Sequence, residues 1–70
     1  MDLHPDRLYS GPQARWFLGC SAKTLYLYGR DGRCPARFPG GPGTRPRFLG
    51  ADILRTQGRD PDEVRKQLAA

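Results

Sequence analysis

Within five residues, Leu18-Gly19-Cys20-Ser21-Ala22, this chain ends one helix and begins another, which leaves few ways to fold it. Upstream, Ser10 is an N-cap candidate, with Gly11 and Pro12 at the first helical positions, where proline is tolerated. Ala14, Phe17 and Leu18 fall at i, i+3 and i+4, one helical face, and Trp16 lies off that stripe. Gly19 ends this helix as a left-handed C-terminal glycine does. Ser21 caps the next helix, expected from Ala22 to about Asp31 and stopped by Gly32. There Leu25, Tyr28 and Gly29 repeat the spacing. Gly29 inside a helix costs about 1 kcal/mol relative to alanine, which predicts a close neighbour of the backbone at that point. Two short helices joined by Gly-Cys-Ser have the arrangement of a helix-turn-helix.

Downstream, the segments Arg33 to Phe38 and Arg45 to Phe48 flank a six-residue loop of Gly, Pro and Thr. That pattern predicts a hairpin with a flexible tip. Pro46 lacks an N–H, so its strand is an edge strand or irregular. Gly50 opens a third helix that runs to about Gln57, with Ile53 and Leu54 apolar and Gly58 at its end. Asp60 and Glu63 have capping-box spacing, and Val64 and Leu68 share a face of a short terminal helix. Residues 1–8 lack periodicity and are expected to form a flexible arm.

Charge is unevenly placed. The 70 residues carry 12 Lys+Arg against 7 Asp+Glu, a formal net charge of +5. From Ala14 to Leu49 stand Arg15, Lys23, Arg30, Arg33, Arg37, Arg45 and Arg47, with Asp31 the single acid, so that span carries +6 and the rest −1. Arginine presents a planar fork suited to phosphates and guanine edges. A GC-rich genome accounts for arginine over lysine, but not for the segregation of net charge. The length allows one domain with a small core. No stretch approaches the roughly 18 apolar residues of a membrane-spanning helix, and no basic start followed by an apolar run marks a secretory signal. A cytoplasmic location is the expectation.

Tyr9-Ser10, Ala14, Phe17-Leu18-Gly19-Cys20-Ser21-Ala22-Lys23-Thr24-Leu25-Tyr26, Tyr28, Arg30-Asp31-Gly32-Arg33-Cys34-Pro35-Ala36, then Arg47-Phe48 and Asp52-Ile53-Leu54, together resemble the MerR-like winged helix-turn-helix family. The small excisionase and AlpA-type regulators of phages and mobile elements are the nearest subset. The resemblance covers about residues 8–57. Leu27 stands where the family commonly has Arg, Tyr28 where it has Trp, and Arg15 where it has a second Ala. The expected wing carries Pro39, Pro42 and Pro46, more proline than the family pattern. The resemblance implies a mostly α fold with a small β-hairpin wing. It also implies a DNA-binding domain over 9–57 and a tail over 58–70 with a short helix.

On a recognition helix, Ala22, Lys23, Tyr26, Leu27 and Arg30 lie opposite Leu25 and Tyr28. Lys23 and Arg30 could reach phosphates or guanine, or be simply solvated, and Leu27 offers an apolar contact to a thymine methyl. Ser21, at the helix N-terminus, could present free N–H groups to a phosphate. Arg33 is expected on phosphate. Arg37, Arg45 and Arg47 surround the wing tip, where the negative potential of a minor groove favours arginine. About six neutralised phosphates would give a log–log salt slope near −5.

No enzyme, cofactor or metal site is expected. Zinc needs about four ligands, and Cys20, Cys34 and His4 do not supply them. The family has Val and Leu at the two cysteine positions, which implies small buried hydrophobes. A disulfide between them would contribute about 3 kcal/mol, but a cytoplasmic chain keeps it reduced. Most aromatics are expected in the core, with Trp16 and Tyr26 the exceptions.

The resemblance implies a sequence-specific binder of double-stranded DNA, an excisionase that bends attachment-site DNA and directs an integrase partner. No long coiled coil follows residue 57, so a monomer binding side by side on tandem sites is expected, without membrane association. A small transcription regulator on the same fold is the alternative. An interaction module of a phage packaging complex, docking through residues 59–70, is a third.

Overall fold

The computed structural model describes residues 3–69. In chain order they form β1 (Leu8–Ser10), α1 (Gly11–Leu18), α2 (Ala22–Arg30), β2 (Arg47–Leu49), α3 (Gly50–Thr56) and α4 (Pro61–Ala69). The fold is small and mostly helical, with one two-stranded antiparallel sheet.

The helix boundaries follow from local chemistry. Ser10 Oγ accepts the Gln13 backbone N–H at 3.3 Å, and Gln13 Oε1 accepts the Ser10 N–H at 2.9 Å. This reciprocal box satisfies two backbone donors at the junction of β1 and α1. Ser10→Ala should therefore lower stability by about 1 kcal/mol in a urea titration, with the slope of the transition unchanged. At the other end Gly19 takes φ 63, and both its N–H and that of Cys20 turn back to the Arg15 carbonyl. Ser21 then caps α2 by accepting the Thr24 N–H at 3.2 Å. The second helix ends at Arg30, and Gly32, at φ 80, lets the Arg33 and Cys34 N–H groups bond to the Tyr28 carbonyl.

The core is centred on α3. Gly50 through Leu54 are all buried. Ile53 and Leu54 meet Ala14 from α1, Leu25 from α2, Phe48 from β2, Val64 from α4, and Cys34. Phe17, Leu18, Cys20 and Tyr28 close over this cluster. Tyr9 faces inward from β1, its ring edge-on to Phe17 with centroids 5.3 Å apart.

Residues 3–8 are not a flexible arm. Leu3 and Pro5 are buried, and Tyr9 Oη accepts the His4 N–H at 2.7 Å. Positions 1 and 2 lie outside the described residues. The arm caps α3, whose N-cap Leu49 has no side chain to offer. The Gly50 N–H donates to the Arg7 carbonyl at 2.8 Å and the Ala51 N–H to the Pro5 carbonyl at 2.9 Å. Periodicity cannot reveal this role, because it uses carbonyl groups that every residue carries.

The wing also differs from expectation. Strand β2 pairs with β1, Tyr9 opposite Phe48, rather than with the segment before the loop. Only Arg37 and Arg47 bridge the loop base, exchanging two N–H···O bonds of 2.7 Å. Pro35, Pro39 and Pro46 remove the donors a longer ladder would need. The tip instead closes through two turns, with the Gly41 N–H on the Phe38 carbonyl and the Thr44 hydroxyl on the Gly41 carbonyl.

The last helix shares the common core instead of trailing as a separate tail. Asp60 Oδ1 accepts the Asp62 N–H at 2.9 Å at its start, and Val64 is buried. Arg65 binds Asp6 and Asp62, and its hydrogen bond holds the Asp6 carboxyl below the usual carboxylate range. Leu68 remains exposed, so only half of the expected Val64–Leu68 stripe is free for any partner.

Candidate nucleic-acid interface

The outer face of α2 carries the side chains expected there. Ala22, Lys23, Tyr26, Leu27 and Arg30 are exposed, while Leu25 is buried and Tyr28 half-buried. A helix has one stripe to spend on the core, and Leu25 and Tyr28 occupy it. Ser21 is exposed at the N-terminus of the same helix.

The arginines divide into two groups. Arg33, Arg45 and Arg47 are exposed, and no acidic side chain among the described residues pairs with them or with Lys23 and Arg30. Arg33 lies over the Tyr28 ring, 6.0 Å from its centroid. Arg37 is different. Its guanidinium is 3.2 Å from Asp52 Oδ2, and Arg55 is 3.2 Å from Oδ1 of the same carboxylate. Asp52 is 7% exposed, so this pair ties the loop base to α3. Arg37 shares that carboxylate with Arg55, and it is an anchor more than a free contact. Nothing in sequence spacing marks a pair fifteen positions apart.

Two exposed aromatic rings, Phe38 and Trp16, lie outside the expected contact set. Phe38, expected in the core, is 51% exposed and lines an open groove with Tyr26 and Arg15. The groove has a volume of about 560 Å³ and runs between α2, the start of α1 and the loop base. Trp16, at 69% exposure, projects from α1 edge-on to Phe17. The proline-rich neighbourhood of Phe38 is the signal that could have placed it outside the core.

Both cysteines are free thiols. Burial pushes the Cys34 thiol up to about 11, and the nearby Asp52 charge adds to the shift. Alkylation requires the thiolate and access to it. At neutral pH iodoacetamide should modify the half-buried Cys20 while Cys34 reacts only after unfolding, as peptide mass analysis would show. Equal labelling rates would contradict the packing of Cys34.

Among the described residues, no group of three or more His, Cys, Asp or Glu side chains could hold a metal ion, and no helix is long and apolar enough to cross a membrane. No family model, curated protein or solved structure matches the chain.

Proposed function

We propose that this protein binds double-stranded DNA as a MerR-like winged helix-turn-helix, with α2 as the recognition helix and residues 38–46 as the wing. One observation carries this reading: Lys23, Arg30, Arg33, Arg45 and Arg47 are exposed around α2 and the loop without acidic partners. Meanwhile Asp6, Asp52 and Asp62 are engaged by other arginines. A duplex presents one negative charge per about 1.7 Å of its axis, and a surface of uncompensated cations is its electrostatic complement. A nine-residue helix with an apolar inner face and a polar outer face suits the major groove, where Tyr26 and Leu27 add base contacts of lower polarity.

The resemblance over residues 8–57 gives the reading its biological form, an excisionase that binds attachment-site DNA and directs an integrase. Selection of bound sequences from a random duplex pool tests DNA recognition directly. An enriched site is expected, in tandem copies if monomers bind side by side. Recovery of unenriched sequences would leave only non-specific affinity, and a gel shift with no preference for attachment-region DNA would remove the excisionase assignment.

Arg37 is held by Asp52, so five of the six expected cations remain unpaired for phosphates. The log–log slope of the affinity against salt should accordingly be about −4.5. A slope near zero would contradict an electrostatic interface.

A further inference from the structure

The groove beside α2 has the character of a small-molecule site. At about 560 Å³ it falls within the range of ligand pockets, and most of its lining residues are apolar or glycine. Ala22, Leu25, Tyr26 and Gly29 on one side of it stand at i, i+3, i+4 and i+7, a single stripe of α2. Two aromatic rings on it, Tyr26 and Phe38, are 65% and 51% exposed.

Gly29 is the telling residue. A β-carbon there would meet only the Cys34 carbonyl oxygen, at an ordinary 3.6 Å, so close packing at that atom does not require the glycine. Its helix penalty is therefore not explained by close packing, and Gly29 is one of the residues that line the groove. Arg15 and Arg30 also line this space, and among the described residues no carboxylate pairs with either. Apolar walls beside two uncompensated arginines select a ligand that is flat, apolar and negatively charged, because an arginine fork donates two N–H bonds to a carboxylate or sulfonate.

We propose that this groove binds a small aromatic acid, its rings beside Tyr26 and Phe38 and its anion on Arg15 and Arg30. Resting on the DNA reading above, the same occupant competes with duplex, since Tyr26 and Arg30 belong to both surfaces. The ligand would then act as an effector that releases the protein from DNA.

Anilinonaphthalene sulfonate has this chemistry and reports binding by fluorescence. The expected result is saturable one-to-one binding that raises the melting temperature of the cooperatively folded protein. Gly29→Leu should abolish it, and because leucine is the better helix former this variant should melt no lower than the parent. Replacing Arg15 and Arg30 together by alanine should weaken it by about tenfold or more. The uncharged phenylnaphthylamine should bind the parent and the double variant alike. Non-saturating fluorescence, unchanged binding in Gly29→Leu, or equal affinity of the double variant for the sulfonate overturns the proposal. Duplex should displace the dye. If duplex binds without displacing it, the effector role falls. If duplex does not bind at all while the dye does, the DNA reading fails and the aromatic-acid site stands.

Discussion

Gly50→Ala should destabilise this protein by about 3 kcal/mol, most of what a core of this size supplies. A β-carbon at position 50 would fall on the His4 carbonyl oxygen, far inside van der Waals contact, with Pro5 Cα 3.2 Å away. Both obstacles are backbone, and that backbone is held. The Gly50 and Ala51 N–H groups bond to Arg7 and Pro5, and the His4 N–H bonds to Tyr9. The arm can leave only by giving up the cap of α3 and the burial of Leu3 and Pro5. In the solvent-facing interior of a helix the same exchange is favourable by about 1 kcal/mol. Gly29→Ala supplies that comparison, since its new methyl meets nothing closer than 3.6 Å. Thermal melts of the two variants should move in opposite directions. If Gly50→Ala melts with the parent protein, the arm is not seated on α3.

Lys23→Ala and Arg30→Ala should each weaken duplex binding by about 1–3 kcal/mol if they touch bases, without changing the melting temperature. Both side chains are exposed, so folding does not depend on them. They are two helical turns apart, about 10 Å along the axis, and at that distance their effects should add. A loss that varies with the bound sequence marks a base contact, and an equal loss on all duplexes marks a phosphate contact. Arg37→Ala is the contrast. It leaves Asp52 with Arg55 alone, so it should lower stability and loosen the loop base while leaving the salt slope nearly unchanged. Unaltered affinity in the Lys23/Arg30 double variant would remove α2 from the interface.

Much of the helical layout was legible because it is locally encoded. Ser10, Gly19, Ser21 and Gly32 act on N–H and C=O groups within a few residues of themselves, so they mark boundaries without knowledge of the fold. The exposed stripe of α2 was legible for the same reason, since helical spacing separates Leu25 from Lys23, Leu27 and Arg30. The sheet was not. Its two strands are three residues each and lie far apart in the chain, too short to show alternation. The proline-rich segment before the loop drew attention as the nearer partner of β2, but it lacks the donors for a ladder. Phe38 read as core because aromatic rings usually are, yet it is 51% exposed.

By itself the sequence determined the four helical segments, the turn that joins the first two, and the clustering of positive charge between Ala14 and Leu49, all properties of neighbours in the chain. Tertiary structure alone decided that the N-terminal segment caps α3, that Asp52 engages Arg37, and that Gly29 lines a groove with Phe38. Each of these joins groups that the sequence keeps apart, and only the packing of α3 at the centre brings them within bonding distance.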